Sequence, residues 1–317
     1  MEMGRGPDVK TSGEMIKAFK DAGYSELDTA IIYCGGKTEK ILGELKAGRD
    51  SAVKIACKVN PVGSNSLTKE SLRRQFHLSL ERLHAKSVDI LYLHMPDHDT
   101  EIAETLEGIN KLYTEKKFQR FGLSNYASWQ VMEIYHLCKQ KGYVLPTVYQ
   151  GMYNAITRHV EEELIPCLRR LKIAFYCYNP LAGGLLSGKY AYVPKDDPSI
   201  PKGRFNGVGG RWAGAYRDRF WNKENFEGID IVKKALVEAY GTEGKVSMVD
   251  ASLRWLVHHS MMKTADGDCI IIGASNMDHL KANVQAIKAA QPLHKSVVDA
   301  FGQAWKLARP GCPKYFR

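Results

Sequence analysis

Leu27-Asp28-Thr29-Ala30-Ile31-Ile32-Tyr33 is an apolar, partly β-branched run that carries a carboxylate near its start and ends on a phenol. Further runs suited to burial as strands occur at 53–59, 88–94, 120–125, 147–150, 173–178 and 269–273. Most are spaced by about 25 to 35 residues, the interval of a strand plus a crossover helix. Helix-period segments lie between them. In 68–83, Leu72, Phe76, Leu80 and Leu83 share one face, with Arg73, Arg74, Glu81 and Arg82 largely elsewhere. Leu106, Ile109, Leu112 and Tyr113 mark a second amphipathic helix, and Val131, Ile134, Tyr135 and Cys138 a third. Strands alternating with helices predict an α/β fold with a parallel sheet. At 317 residues the chain suits one (β/α)8 barrel domain spanning 1–317.

A barrel needs an eighth strand, and the missing one is expected to be the first. The chain opens at Met1-Glu2-Met3-Gly4 just ahead of a helical stretch, 12–22, so that strand is read as truncated. The interval between the last two runs is far longer than the others. It holds a Gly-, Pro- and aromatic-rich stretch, 190–226, read either as a lid over the barrel mouth or as a plain connection. Helices are expected over 277–289 and 292–308, followed by a turn-rich tail to 317 that either folds over the mouth or frays.

Composition narrows the function classes. No apolar run approaches the roughly 20 residues that span a bilayer, and the N-terminus has no apolar leader core, so the cytosol is expected. Seven scattered cysteines without a C-x-x-C pair argue for reduced thiols and no metal site. The net charge of +10 is spread without a basic run, which speaks against a nucleic-acid partner and suits a polyanionic cofactor.

Barrel active sites are built from polar residues at the C-terminal ends of several strands. Asp28 and Tyr33 are expected at one such end, Lys58 at the next and His94 at the one after. Each alone has an ordinary structural role as a cap or a satisfied core group. Together they make a chemical set. Adding hydride to a carbonyl leaves an alkoxide that needs a proton, and a phenol can give one, but an unperturbed pKa of about 10 is too high for efficient transfer near neutrality. A buried ammonium beside the phenol favours phenolate, and an aspartate keeps that ammonium charged. A neutral imidazole orients the carbonyl oxygen.

The strings 27–33, Ala56-Cys57-Lys58 and Leu91-Tyr92-Leu93-His94-Met95-Pro96-Asp97 resemble the catalytic tetrad of the aldo-keto reductase family in order and spacing. Gly122-Leu123-Ser124-Asn125-Tyr126, 149–156 and 179–186 are similar to its aflatoxin-aldehyde reductase (succinic semialdehyde reductase-like) branch, and the likeness runs to the Tyr315-Phe316-Arg317 ending. The resemblance implies an NADP(H)-dependent enzyme that reduces dialdehydes, semialdehydes and aromatic aldehydes, with Tyr33 as proton donor and Asp28, Lys58 and His94 as its partners. It implies that Asp28, Ser124, Asn125 and Gln150 lie at the nicotinamide end and that Tyr178 stacks on the ring. Asn179, Pro180, Leu181, Gly183, Gly184, Leu185, Gly188 and Lys189 would form the pyrophosphate loop, where glycines allow close backbone approach. Arg204 resembles a phosphate contact, and Ser275, Asn276, His279 and Asn283 the adenosine segment at a helix start. Where many relatives place Arg in that segment this chain has His279, and Gly273 or Ala274 stands where some place Lys. Preference for NADPH therefore rests on Ser275, His279, Arg204 and family habit. No G-x-G-x-x-G is present, so a Rossmann reading is unsupported.

At the substrate end the candidates are His94, Arg217 and Arg317, with Met1, Trp212, Tyr216, Arg219 and Trp221 in stretches expected to border the mouth. The partner is a small aldehyde rather than nucleic acid or membrane, and a homodimer is left open. Two other readings stand beside the enzyme: a cofactor-binding regulatory subunit like the potassium-channel β subunits, and an inactive truncated barrel.

Overall fold

Among the described residues, seven parallel strands lie side by side in chain order: β1 Glu26–Asp28, β2 Lys54–Val59, β3 Val88–Leu93, β4 Phe118–Ser124, β5 Pro146–Met152, β6 Ala174–Tyr178 and β7 Cys269–Ile270. The structure is a computed structural model that describes residues 3–201, 203–206, 211–242, 246–289 and 291–317, without the side chains of 211 and 212. Helices α1 Val9–Asp21, α2 Lys37–Glu44, α3 Lys69–Arg82, α4 Ile102–Thr114, α5 Ser128–Lys141 and α6 Leu164–Leu171 fall between or before the first six strands. Then come α7 Arg211–Phe220, α8 Lys223–Tyr240 and α9 Met248–His258, and after β7, α10 Met277–Lys288 and α11 Lys295–Ala308.

The sheet curls strongly. Gln150 Nε2 on β5 donates to Asp28 Oδ1 on β1 at 2.9 Å. In a flat sheet, strands four places apart would lie about 19 Å from each other. At the opposite end of the strands, Arg120 on β4 donates to Glu26 on β1, and its guanidinium also reaches the Tyr176 hydroxyl on β6. Ala56, Ile90, Tyr92, Val148 and Tyr176 fill the enclosed interior. The larger apolar core lies between the sheet and the helices, and the face read for α3 supplies Leu72, Phe76 and Leu80 to it. Thr68 caps that helix by accepting from the Ser71 N–H, which sets its first turn.

The first run departs from its expected bounds. Regular strand ends at Asp28, and Tyr33 instead begins a 3-10 turn, Tyr33–Gly36. The Thr29 and Ile31 N–H groups still donate to the Ala56 and Lys58 carbonyls of β2. Their own carbonyls, however, are taken by the side chains of Lys58 and Arg82, so no ladder continues on that side. The last run is likewise shorter than 269–273.

The long interval before β7 is explained by α7 to α9. The 190–226 stretch includes α7 and the first turn of α8, and Tyr190, Phe205, Trp221 and Phe226 pack in edge and tilted contacts with centroids 5.0 to 5.5 Å apart. Trp221 does not border a mouth. It is fully buried, and its indole N–H donates to the Val193 carbonyl. The C-terminal tail is held down: the Tyr315 hydroxyl accepts from the Ser128 N–H and donates to Glu163, and the Arg317 N–H donates to the Asn125 carbonyl just beyond β4. Among the described residues no helix is long and apolar enough to cross a membrane.

Candidate active site

β2 delivers Lys58 fully buried into the interior. A buried ammonium is tolerable only when its protons are taken up. Lys58 Nζ donates to Asp28 Oδ2 at 2.6 Å, to the Thr29 carbonyl at 2.7 Å and to the Tyr33 hydroxyl at 3.3 Å. All three acceptors come from one short stretch, so the lysine gathers the carboxylate and the phenol about itself. Tyr33 reaches this position because Cys34, Gly35 and Gly36 follow it at φ of 52°, 64° and 88°, a left-handed run that reverses the chain into α2.

His94 sits one residue past β3, with its N–H on the Val59 carbonyl and its carbonyl accepting from Asn125 Nδ2 at 2.8 Å. Its ring meets that of Tyr33 edge-on at 5.9 Å. Burial, then the nearby Lys58 ammonium, lowers its pKa to about 3, so the imidazole is neutral at physiological pH. The sign of the linkage follows. Unfolded, His94 takes up a proton below about pH 6.5 and folded it does not, so stability falls as pH drops from about 6.5 toward 3. We expect His94→Gln to flatten the pH dependence of urea-unfolding stability in that window by up to about 1.4 kcal/mol per pH unit. Parallel curves for the two proteins would show that His94 is not held neutral.

Beside this set, the ends of β4, β5 and β6 present a linked amide and hydroxyl cluster. Asn125, left-handed at φ 63°, donates through Nδ2 to Ser124 Oγ and accepts at Oδ1 from the Tyr178 hydroxyl at 2.7 Å. Gln150, opposite Ser124 in the β4–β5 register, donates to Asp28. Burial raises the Tyr178 phenol to about 12, opposed by the charge of Arg219. The chain then turns through Asn179 at φ 55°, Pro180, Leu181 and a 3-10 stretch, Ala182–Ser187, in which Gly183 and Gly184 are left-handed, as is the following Gly188. A Cβ on Gly183 would meet the Tyr216 ring at 2.7 Å, whereas one on Gly184 would meet nothing within 4 Å. Asn179 Nδ2 is buried without an acceptor. A glycine turn with open backbone and a nearby orphaned amide donor fits an oxygen-rich group such as a pyrophosphate. Leu185 turns its side chain into the core, so only its backbone can face a ligand, and Lys189 lies over the Tyr190 ring. The Arg204 guanidinium covers the Tyr216 ring at 4.9 Å.

Beyond β7, α10 begins at its cap Asn276, whose side chain accepts from the His279 N–H at 2.8 Å. Ser275 Oγ pairs with His279 Nδ1 at 2.9 Å, and Asn283 Nδ2 donates to the Gly273 carbonyl. Ser275, Asn276 and His279 stand at an exposed helix N-terminus, whereas Asn283 is buried further along α10.

The substrate candidates divide. Arg217 Nη1 donates to the Phe205 carbonyl at 2.7 Å, which commits part of that guanidinium to the fold. Arg219 lies 5.9 Å from the Tyr216 ring, on the side of Tyr178. Arg317 is placed at the β4 end by its backbone. Met1 and the Trp212 side chain lie outside what the structure describes. Two contributors, Thr29 and Asn154, escaped the sequence reading, and Tyr216, read only as bordering the mouth, has a more definite place. Thr29 acts through its carbonyl, and the buried Asn154 positions Asn179 by donating to its carbonyl at 2.9 Å. Tyr216 donates to Asn179 Oδ1 at 3.2 Å, a bond that no local pattern marks.

The aldo/keto reductase family model matches residues 3–306. Aflatoxin B1 aldehyde reductase member 2 of Rattus norvegicus is 51% identical over 320 residues, covering 100% of this chain and 86% of that protein. Aldo-keto reductase family 7 member A3 of Homo sapiens is also 51% identical, with 100% and 95% covered. A more distant aldo-keto reductase, from Pseudocercospora fijiensis, is 38% identical over 306 residues.

Proposed function

The chain belongs to the aldo/keto reductase family, an oxidoreductase family that uses a nicotinamide cofactor, and from that premise we propose that it reduces aldehydes to alcohols with NADPH. The observation that carries this reading is the Lys58 ammonium bridging Asp28 and the Tyr33 hydroxyl, with a neutral imidazole at the phenol's edge. We take the frame as an eight-stranded barrel over 1–317, of which the seven parallel strands are part.

When bound, the reduced nicotinamide supplies hydride to the carbonyl carbon. Ser124, Asn125 and Gln150 have the donors and acceptors to hold its carboxamide, and Tyr178 offers a ring face. The glycine turn at 183–188, with Lys189 and Arg204, suits the pyrophosphate, and Ser275, Asn276, His279 and Asn283 suit the adenosine end at the start of α10. Neutral His94 orients the substrate oxygen. Tyr33 gives its proton to that oxygen as charge develops, and Lys58 stabilises the resulting phenolate until solvent reprotonates it. Asp28 keeps Lys58 charged and aimed. For an aldehyde bearing a carboxylate, Arg219 and Arg317 are the cations we assign, with Arg217 holding the segment in place.

Steady-state cofactor oxidation with 4-nitrobenzaldehyde and succinic semialdehyde, run with NADPH and NADH, tests the proposal. Turnover with both aldehydes and a preference for NADPH are expected. Tight NADPH binding without turnover would favour a regulatory subunit, and equal rates with NADH would remove Ser275, His279 and Arg204 as determinants of cofactor choice.

A further inference from the structure

Glu39 is a fully buried carboxylate that the proposed chemistry does not use. It lies on α2, immediately after the turn that carries Tyr33. Arg82, at the end of α3, pairs with Glu39 Oε2 at 3.3 Å, and the same guanidinium nitrogen donates to the Ile31 carbonyl at 3.2 Å. The guanidinium also lies against Gly36, where a Cβ would come within 2.5 Å of Nη1. One planar cation therefore touches the residue two before Tyr33, the glycine three after it and the helix that follows. Glu39 Oε1 in turn accepts from the thiol of Cys57, the neighbour of Lys58. From α2 and α3, the pair reaches both chain segments whose side chains meet at 3.3 Å in the site.

We propose that Arg82 and Glu39 are positioning residues that fix the 31–36 turn, and so hold the Tyr33 hydroxyl within reach of Lys58. The requirement for a flat cation is specific. Nη1 alone bonds the Ile31 carbonyl and Glu39, while the whole guanidinium plane lies over Gly36, where an ideal Cβ would meet Nη1, Cζ and Nη2 at 2.5 to 3.0 Å. A lysine ammonium can keep the charge but not that planar packing. The turn needs such a clamp because its three left-handed residues are not held by any regular ladder. A shift of about 1 Å in a reacting group can cost on the order of 10²-fold in rate, so a small slackening of the turn is enough to be read kinetically.

The inference rests on Tyr33 being the proton donor, and the experiment separates the two. Arg82→Lys keeps the charge beside Glu39 and loses the planar packing, whereas Gly36→Ala keeps both charged groups but displaces the guanidinium and strains a backbone held at φ 88°. Each is compared with Tyr33→Phe for kcat, KM, NADPH affinity by fluorescence titration, thermal midpoint and the pH profile of kcat. In both variants kcat is expected to fall roughly tenfold or more at full occupancy of folded enzyme, consistent with a sub-ångström slackening. NADPH affinity should hold, and the alkaline limb of kcat should move to higher pH, because a phenol further from the ammonium is harder to ionise. Lower thermal midpoints with unchanged kcat and pH profile would overturn the proposal, since Arg82 would then serve stability alone. If Tyr33→Phe itself keeps turnover, the proton-donor reading fails, whatever the other variants do.

Discussion

Tyr33→Phe is expected to lower kcat by about 10² to 10⁴-fold, the range for losing a positioned general acid. NADPH affinity should be unchanged, because the hydroxyl that is removed faces Lys58 and the proposed substrate oxygen rather than the amide cluster of Asn125, Gln150 and Tyr178. The fold should tolerate the change. The ring keeps its edge contact with His94 and its place 4.7 Å from the Lys58 ammonium, and Lys58 keeps two of its three acceptors. Loss of turnover with binding and melting intact is the signature of an interaction made mainly in the transition state. Undiminished turnover would take the proton-donor role from Tyr33.

Much of this site is legible in the sequence because strand-end chemistry is local. Asp28, Lys58 and His94 stand out as polar residues at or next to the ends of apolar runs, and the structure places them together. Tyr33 is also legible, but its backbone setting is not. The strand stops early because the Thr29 and Ile31 carbonyls are taken by side chains 29 and 51 residues away, and no periodicity records such bonds. Glu39 and Arg82 are hidden for a related reason. On α2 and α3 they look like solvated charges, and only the packing of one helix against the other buries the carboxylate. Trp221 errs in the other direction. An aromatic in a Gly- and Pro-rich stretch suggests a mouth, yet its ring partners bring it into the core. The bond from Gln150 to Asp28, which reveals the curl, joins residues 122 positions apart and follows from topology rather than from either local string.

Lys58→Met should have the second large effect, on stability as well as on turnover. The methionine fills a similar volume but offers no donor to Asp28, Thr29 or Tyr33. Removing one partner of a buried pair strands the other charge, at a cost of about 3–5 kcal/mol. Asp28 is 15% exposed and retains the bond from Gln150, which argues for the lower part of that range. Turnover should fall independently, because the phenolate formed when Tyr33 gives up its proton loses its counter-charge. Removing a single charge-stabilising donor costs about 10² to 10³ in kcat. The two effects separate in a double variant. Asp28→Asn combined with Lys58→Met removes the stranded carboxylate, so the urea midpoint should recover in part, while kcat stays as low as in Lys58→Met alone. If turnover recovers along with stability, Lys58 is a structural cation and the stabilisation of the phenolate must come from elsewhere. If neither recovers, the loss lies in packing around the buried stem rather than in charge, and the electrostatic link from Asp28 through Lys58 to Tyr33 is broken at its first step.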